Sequence, residues 1–311
     1  MMFRIRPFER DDLSEVVEGW NRVLVYDRVS EERFKRVVLE DPNYERELNL
    51  VALDDGRVVG FIAAVAREGV LGRDGRGRPE EAYDGYIKGF YLLNGYWESG
   101  VGERLLDEVF ERLRSRGKRV VKVVEYTGRY FFPGVDVRYD KLLSFFDRNG
   151  FDRVDKLDDV AADLVDFEPS EYQRRAVART REMGVEITTY RPEMIGMMRE
   201  FAEKLDMIQW FPRGWERDFG REGRHIVAVK DGKIVGWACY WPGKPIAGFG
   251  PIGVLKEYRG RGIGTSLLLE AMLRLKEYGA SKVVAGWAAT GFYLKSGWKI
   301  YRQYIVFKKE I

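Results

Sequence analysis

The stretch Tyr258-Arg-Gly-Arg-Gly-Ile-Gly264, which leads into Thr265-Ser-Leu-Leu-Leu-Glu-Ala-Met272, combines a glycine-rich turn with the start of an amphipathic helix. A turn of this kind leaves backbone N–H groups unpaired at the positive end of the helix dipole. Such groups bind phosphate oxygens readily. The stretch therefore predicts a phosphate-binding site where a strand ends and a helix begins.

The same arrangement occurs earlier in the chain, in weaker form, as Tyr96-Trp-Glu-Ser-Gly-Val-Gly102. Further segments match in the same order along the chain. The turn Asp55-Gly-Arg-Val-Val-Gly-Phe61 corresponds to Asp231-Gly-Lys-Ile-Val-Gly-Trp237, and Phe145-Phe-Asp-Arg-Asn-Gly-Phe151 corresponds to Phe292-Tyr-Leu-Lys-Ser-Gly-Trp298. An internal repeat of this length predicts two domains of the same fold.

The composition fits a folded protein with nearly balanced charge. A chain of 311 residues is longer than one ordinary domain with a single core, and its length fits two domains. A formal net charge of +3, with 33% charged residues, argues against a dedicated nucleic-acid binder. The single cysteine, Cys239, excludes an internal disulfide framework and favours a reducing compartment. Because the sequence shows no signal peptide and no membrane span, we expect a cytoplasmic protein without a membrane partner.

Each repeat predicts a mixed α/β (α+β) domain, in which helices flank a twisted mixed sheet. The first repeat carries two extra segments, a charged loop near Arg67–Glu81 and a segment around Phe132–Asp136. Between the repeats, Ser170 and Gln173 form a candidate capping box for a linker helix that stops at Gly184. The expected boundaries are 1–168 for the first domain, 169–184 for the linker helix and 185–311 for the second domain.

These motifs resemble the GNAT superfamily of acyl-CoA-dependent N-acetyltransferases. The turn is similar to the superfamily signature of Arg or Gln, two residues, Gly, one residue, then Gly or Ala. The closing segment is similar to the family's aromatic-Tyr and Gly-aromatic ending. The matching residues are Arg259, Gly262 and Gly264 in the turn, and Phe292, Tyr293, Gly297 and Trp298 in the ending. The resemblance covers most of 185–311 and, more faintly, 1–165, and implies a tandem GNAT protein.

Other glycine-rich nucleotide sites fit this chain less well. Gly248-Phe-Gly-Pro-Ile-Gly253 matches the G-x-G-x-x-G string of dinucleotide-binding folds. However, Pro251 lies inside it and no helix follows until after Gly264, so the required strand–turn–helix context is missing. No Walker A string occurs either.

The resemblance implies that acetyl-CoA is the co-substrate, with its diphosphate on backbone N–H groups of the turn and its pantetheine arm between two splayed strands. Arg261 and Arg259 would add charge for phosphate oxygens. The alternative is that Gly262 and Gly264 only form a tight turn. The implied CoA-binding residues are Val254, Leu255, Arg259, Gly260, Arg261, Gly262, Ile263, Gly264 and Thr265.

The implied reaction is direct attack of a primary amine of a small molecule or peptide on the acetyl thioester, in a ternary complex. The leaving thiol has a cysteine-like pKa of about 8.5. A phenol near the sulfur can donate a proton as the thiol leaves. Tyr293 occupies the position where the family keeps that acid, and the alternative is that its ring only packs in the core.

The general base is not evident. Many family members carry a Glu on the strand before the turn, whereas Gly248–Leu255 contains no acid. Asp206, Glu216 and Asp218 could bind the substrate ammonium or simply be solvated loop acids. His225 is better explained as a strand-edge residue than as a base. No cluster of His, Cys and acids suggests a metal.

The first repeat departs from the pattern. Trp97 stands where the signature needs Arg or Gln, and Phe146 stands where the second repeat has Tyr293. A phenyl ring has no proton to give, so we expect a degenerate N-terminal copy that buttresses the second domain, shapes its acceptor site or holds CoA without turnover. In the second repeat, Gly286 stands where many relatives have a CoA-contacting Asn. A non-catalytic acyl-CoA-binding sensor or regulatory module is the alternative function, and a homodimer is compatible with the sequence.

Overall fold

The structure is a computed structural model that describes residues 3–67, 82–127, 129–205, 219 and 224–311. The chain divides into two compact units. Of the described residues, 3–157 and 304–311 form unit 1, and 158–303 form unit 2. Each unit is a mixed α/β structure with helices packed on a mixed sheet, as predicted from the repeat. No helix within the described ranges is long and apolar enough to cross a membrane.

Unit 1 follows the predicted order of elements. Its helices are α1 (Leu13–Val23), α2 (Glu31–Phe34, continued by the π-helical turn Lys35–Leu39), α3 (Val101–Arg114) and α4 (Asp140–Arg148). Its strands are β1 (Arg4–Pro7), β2 (Asn49–Asp54), β3 (Arg57–Ala66), β4 (Asp84–Leu92), β5 (Val120–Val123) and β6 (Val135–Asp136), followed by β7 (Asp152–Asp163), which passes into unit 2. Strands β1 to β4 pair antiparallel in chain order, and β5 adds parallel to β4.

Unit 2 repeats this order. Its helices are α5 (Glu171–Glu182), α6 (Ile195–Lys204), α7 (Ile263–Tyr278) and α8 (Thr290–Leu294). Its strands are β8 (Glu186–Thr189), β9 (His225–Lys230), β10 (Lys233–Trp241), β11 (Ile246–Val254) and β12 (Lys282–Ala285), followed by β13 (Lys299–Glu310), which passes into unit 1. Strands β8 to β11 pair antiparallel in chain order, and β12 adds parallel to β11.

Each sheet is completed by a strand from the end of the other repeat. In unit 1, Val120–Val123 of β5 pairs with residues 307–310 of β13. In unit 2, β12 pairs with residues 160–163 of β7. The contiguous boundaries expected at 1–168 and 185–311 do not anticipate this exchange, because a hydrophobic pattern identifies a strand and not the sheet that it joins.

The expected linker helix is α5, and its N-terminus has the expected capping box. The Ser170 hydroxyl accepts a hydrogen bond from the Gln173 backbone N–H at 3.3 Å, and the Gln173 side chain accepts one from the Ser170 N–H at 2.9 Å. These bonds satisfy N–H groups that a helix start leaves without partners. The helix belongs to unit 2, where it packs on α7.

Candidate active site

The glycine turn of unit 2 joins β11 to α7 through residues that need left-handed backbone conformations. Gly260 has a φ of +75° and Gly262, the N-cap of α7, has a φ of +98°. Residues with a Cβ rarely adopt this region, so glycine is required at both positions. Gly262 has no side chain with which to cap the helix, and the first N–H groups of α7 are therefore available to a ligand.

An open groove of about 540 Å³ lies along this turn. Seven of the predicted CoA-binding residues line it, and α5 and the α8 region supply the other side. The predicted residues in the groove are Val254, Arg259, Gly260, Gly262, Ile263, Gly264 and Thr265; the additional ones include Tyr172, Arg179, Phe292 and Lys295. The structure thus brings most of the predicted set together in one place.

The groove is electropositive. Arg179, Arg259 and Lys295 line it, and no Asp or Glu is among the described residues that do so. The Arg259 Nε donates a hydrogen bond to the Val254 carbonyl at 2.8 Å, which holds the guanidinium beside the turn. Fixed cations next to the N-terminus of a helix favour a ligand that carries several negative charges.

Two predicted residues do not line the groove. Leu255 is 5% exposed and packs in a core cluster with Trp237 and Phe201. Arg261 has an exposed side chain in the turn, and it is not among the residues that line the groove. Neighbouring residues of an extended chain point in opposite directions. Val254 therefore faces the groove while Leu255 turns into the core.

Strands β11 and β12 pair over only three residues, from Ile246–Lys282 to Gly248–Val284. Beyond Gly248 the remainder of β11 has no pairing with β12. This divergence leaves a gap between two parallel strands, which is the feature that the family resemblance implies for the pantetheine arm. The gap begins on the same strand that ends in the glycine turn.

Tyr293 lies at this divergence. Its ring centroid is 6.2 Å from that of Phe249, the first residue of β11 beyond the paired segment, and 5.1 Å from that of Trp298. The side chain is only 5% exposed, and burial raises the pKa of its hydroxyl above the ordinary value. None of the described residues forms a hydrogen bond with this hydroxyl. Tyr293 is therefore a neutral phenol whose proton is available to a bound molecule.

His225 has a structural role. Its Nδ1 accepts a hydrogen bond from the Trp237 Nε1 at 3.0 Å, and its ring stacks on Phe219 at 4.1 Å between centroids. Burial, with a smaller effect of the Arg224 charge, lowers the pKa of His225 from 6.5 to about 4. The imidazole is neutral and its Nδ1 lone pair is engaged, as expected for a strand-edge residue. Cys239 is 1% exposed and lies in the core cluster that contains Trp237 and Leu255.

The candidate acceptor acids Asp206, Glu216 and Asp218 lie outside the described residues, as do residues 68–81 of the charged loop of the first repeat. Within the described part of the chain, no group of three or more His, Cys, Asp and Glu side chains is placed to hold a metal ion.

Gly286 follows β12 beside a carboxylate from β7. A Cβ at position 286 would lie 3.2 Å from the Asp159 Oδ1, which accepts a hydrogen bond from the Trp287 N–H at 3.0 Å. The Asp159 side chain therefore occupies space that a larger residue at 286 would need. The sequence carries no signal for this contact, because Asp159 lies in the range 1–168 expected for the first domain and Gly286 lies in the second.

The corresponding groove in unit 1 has a different set of lining charges. Trp97, which replaces the arginine of the signature, is 6% exposed and packs against Phe90 and Phe145. The groove beside the turn, of about 340 Å³, is lined by the acids Glu98 and Asp140 together with the cations Lys141 and Arg148. These charges balance, so the groove of unit 1 lacks the net positive charge of its counterpart.

The gap between β4 and β5 of unit 1 is filled. Side chains that include Phe132, Val135 and Phe146 leave a cavity of about 20 Å³ there. A cavity of this size has room for about one water molecule. Phe132 and Val135 belong to the extra segment of the first repeat, and Phe146 is fully buried where unit 2 has Tyr293. Unit 1 as described has no space for an extended chain between these strands.

The model of the Acetyltransferase (GNAT) family matches the chain twice, at residues 13–129 and 190–298, once in each repeat. The chain belongs to the GNAT family of acetyltransferases. It is therefore an acyltransferase with two GNAT domains in tandem, and its family uses acetyl-CoA as the co-substrate. Among curated protein sequences, none matches this chain.

Solved structures share the fold over the whole chain. One is described as a GCN5-related glucosamine N-acetyltransferase region in a fungal multi-domain GH3 β-N-acetylglucosaminidase, with 22% identity and a TM-score of 0.80; the match covers 99% of this chain and 38% of that one. A GCN5-related N-acetyltransferase from Sphaerobacter thermophilus has 18% identity and a TM-score of 0.69, with 99% and 95% covered. A tandem GNAT protein from the clavulanic acid biosynthesis pathway has 16% identity and a TM-score of 0.67, with 99% and 98% covered.

Sequence reasoning missed Tyr172, Arg179 and Lys295 as groove residues. Lys295 lies inside the aromatic motif and could have been found as the cation nearest to Phe292 and Tyr293. Tyr172 and Arg179 carry no such signal, because they lie on a helix outside both repeats. Only the packing of α5 on α7 brings them to the glycine turn.

Proposed function

We propose that unit 2 transfers the acetyl group of acetyl-CoA to a primary amine of a small molecule or peptide, by direct attack in a ternary complex. The observation that carries this proposal is the placement of two features on one strand. β11 ends in the electropositive glycine turn, and it diverges from β12 beside the neutral hydroxyl of Tyr293. β11 therefore connects the glycine turn to the place where the ring of Tyr293, on α8, packs against Phe249.

The residues of the groove fit the phosphate-bearing part of acetyl-CoA. Backbone N–H groups from Gly262 to Thr265 offer donors, and Arg259 and Lys295 offer charge. The exposed Arg261 adds positive charge in the same turn. When bound, the coenzyme supplies an acetyl thioester, which is the electrophile of the reaction. The amides of the turn fix its nucleotide end, and the diverging strands direct its arm toward Tyr293.

Tyr293 acts as the general acid in this proposal. Its raised pKa keeps the proton on the phenol oxygen throughout the neutral pH range. As the amine nitrogen bonds to the acetyl carbon and the C–S bond breaks, the hydroxyl donates that proton to the sulfur, so that the thiol and not the thiolate departs. The attacking nitrogen gives up one proton to water, and the phenolate regains one from water. Packing of its ring against Phe249 and Trp298 holds the oxygen in place before the reaction.

The test is Tyr293→Phe, which removes the hydroxyl and keeps the ring. Thiol release from acetyl-CoA is followed with a panel of amines that includes glucosamine, because one structural relative is described as a glucosamine N-acetyltransferase region. We expect turnover to fall by roughly 100-fold or more, with acetyl-CoA affinity nearly unchanged. Tyr278→Phe, at the exposed far end of α7, is the control and retains full turnover. Equal turnover of Tyr293→Phe and the control would remove Tyr293 from the acid role.

A non-catalytic acyl-CoA sensor is the second candidate. The observation in its favour is that β11 carries no Asp or Glu that could deprotonate an amine. The same panel separates the two functions. Tight binding of acetyl-CoA without thiol release from any amine supports the sensor, whereas steady thiol release supports the enzyme.

A further inference from the structure

Helix α5 lies directly against the glycine turn in unit 2. A Cβ at position 262 would be only 2.8 Å from the carbonyl oxygen of Ala176. One turn further along α5, the Thr180 and Ser266 hydroxyls are 2.9 Å apart and both are buried. These contacts fix the helix against the N-terminus of α7.

Two side chains of α5 reach the coenzyme groove from this position. Tyr172 and Arg179 lie on either side of Ala176 on one helical face, at spacings of four and three residues. Both line the groove together with the glycine turn, and the Tyr172 hydroxyl is 3.5 Å from the Thr265 hydroxyl.

The Arg179 guanidinium is available for a ligand. Its side chain is exposed, and none of the described residues forms an ion pair or a hydrogen bond with it. Two other arginines of α5 are engaged: Arg175 pairs with Glu171, and Arg174 donates to the Pro169 carbonyl at 2.6 Å. An arginine beside a groove without lining acids is suited to bidentate binding of phosphate.

We infer that α5 forms part of the coenzyme site and that Arg179 binds a phosphate of the CoA nucleotide, either the 3′-phosphate or the diphosphate. This inference rests on the proposed function of unit 2. The first repeat shows the contrast, because a Cβ at Gly100 would meet no atom of the described residues within 4 Å. The helix between the repeats therefore adds a binding residue that the glycine turn alone does not supply.

The test is Arg179→Gln, with Arg181→Gln as the matched control. Arg181 has the same charge, lies two residues further along α5 and lines a different groove of unit 2. Calorimetric titration of the full chain with CoA is expected to show roughly 10-fold to 100-fold weaker binding for Arg179→Gln. The CoA affinity of Arg181→Gln is expected to stay within about 2-fold of that of the unmodified protein, because Arg181 does not line the coenzyme groove.

Titration with dephospho-CoA identifies the phosphate. If Arg179 binds the 3′-phosphate, Arg179→Gln and the unmodified protein bind dephospho-CoA equally well. If it binds the diphosphate, the variant loses affinity for both ligands. In steady-state assays, either result appears as a raised KM for acetyl-CoA at unchanged kcat.

Equal CoA affinities of Arg179→Gln and Arg181→Gln would overturn the inference and leave the proposed function standing. Absence of CoA binding by the unmodified chain would overturn both. Matching circular dichroism spectra and melting temperatures of the two variants establish that a loss of affinity does not come from a loss of folding.

Discussion

Gly262 has a left-handed backbone conformation and a close contact with α5. Replacing it with alanine measures the free-energy cost of placing a side chain under both constraints. The residue has a φ of +98°, and an added methyl group would lie 2.8 Å from the Ala176 carbonyl oxygen. A left-handed conformation costs a residue with a Cβ about 1–2 kcal/mol. Forcing an extra carbon into a packed site costs about 1–3 kcal/mol more. Gly262→Ala is therefore expected to lower the free energy of unfolding by about 2–5 kcal/mol.

Gly260→Ala separates the two contributions. Gly260 has a similar φ of +75°, but a Cβ there would meet no atom within 4 Å. This variant should lose only the conformational part, about 1–2 kcal/mol. Urea unfolding followed by circular dichroism gives both values. The difference between the variants, about 1–3 kcal/mol, reports the contact with α5. Equal losses for the two variants would refute the close approach of α5 to the turn.

Two further predictions concern buried groups. The pKa of His225 in the folded protein, about 4, lies below the unfolded value of 6.5. As the pH falls, the unfolded chain therefore binds a proton before the folded protein does. The free energy of unfolding is expected to decline between pH 6.5 and 4 by up to about 3 kcal/mol. His225→Gln should remove this part of the decline in urea unfolding at pH 7 and pH 4.5, and parallel losses in both proteins would contradict it. In unit 1, the Lys88 Nζ and the Asp41 Oδ2 are 2.5 Å apart and both side chains are at most 1% exposed. Lys88→Met leaves the carboxylate unpaired and should cost about 3–5 kcal/mol of unfolding free energy; a loss below about 1 kcal/mol, the value of an exposed pair, would show that the pair is not buried.

The parts of the site that depend on local sequence were predictable. A turn that needs two left-handed residues before a helix requires glycine at those positions, so the glycine turn is visible at Gly262 without a structure. The aromatic ending is equally local, and Tyr293 is visible in it without a structure. The departure of the first repeat from the motif is likewise visible in the sequence at Trp97 and Phe146, because each residue lacks a specific chemical group.

The parts that depend on contacts distant in sequence were not predictable. The sequence does not reveal that the ends of β7 and β13 join the sheet of the other unit. The alternation of apolar residues along a strand is the same whichever sheet the strand joins. The approach of α5 to the turn depends on packing against α7, so Arg179 was assigned only to a linker. The direction of the Leu255 side chain depends on where the extended segment ends, and boundaries are the least certain part of a sequence prediction.

In the first repeat, the sequence indicates which chemical groups are absent but not which side chains fill the space between the strands. Its sequence indicates that the signature arginine and the tyrosine are absent. It does not indicate that Phe132 and Val135 of the extra segment help to fill the gap between β4 and β5. Nor does it indicate that acids and cations balance along the groove beside the turn. Together these features leave the groove of unit 1 without a net positive charge and the gap without the volume that an acyl-CoA would require.

The most direct test of the account is a crystal structure of the full chain with acetyl-CoA. The account predicts one coenzyme per chain, with its diphosphate within hydrogen-bond distance of the backbone N–H groups from Gly262 to Thr265 and its sulfur beside the Tyr293 hydroxyl. A coenzyme bound at the turn of unit 1, or bound in unit 2 away from the groove at Gly262, would contradict it.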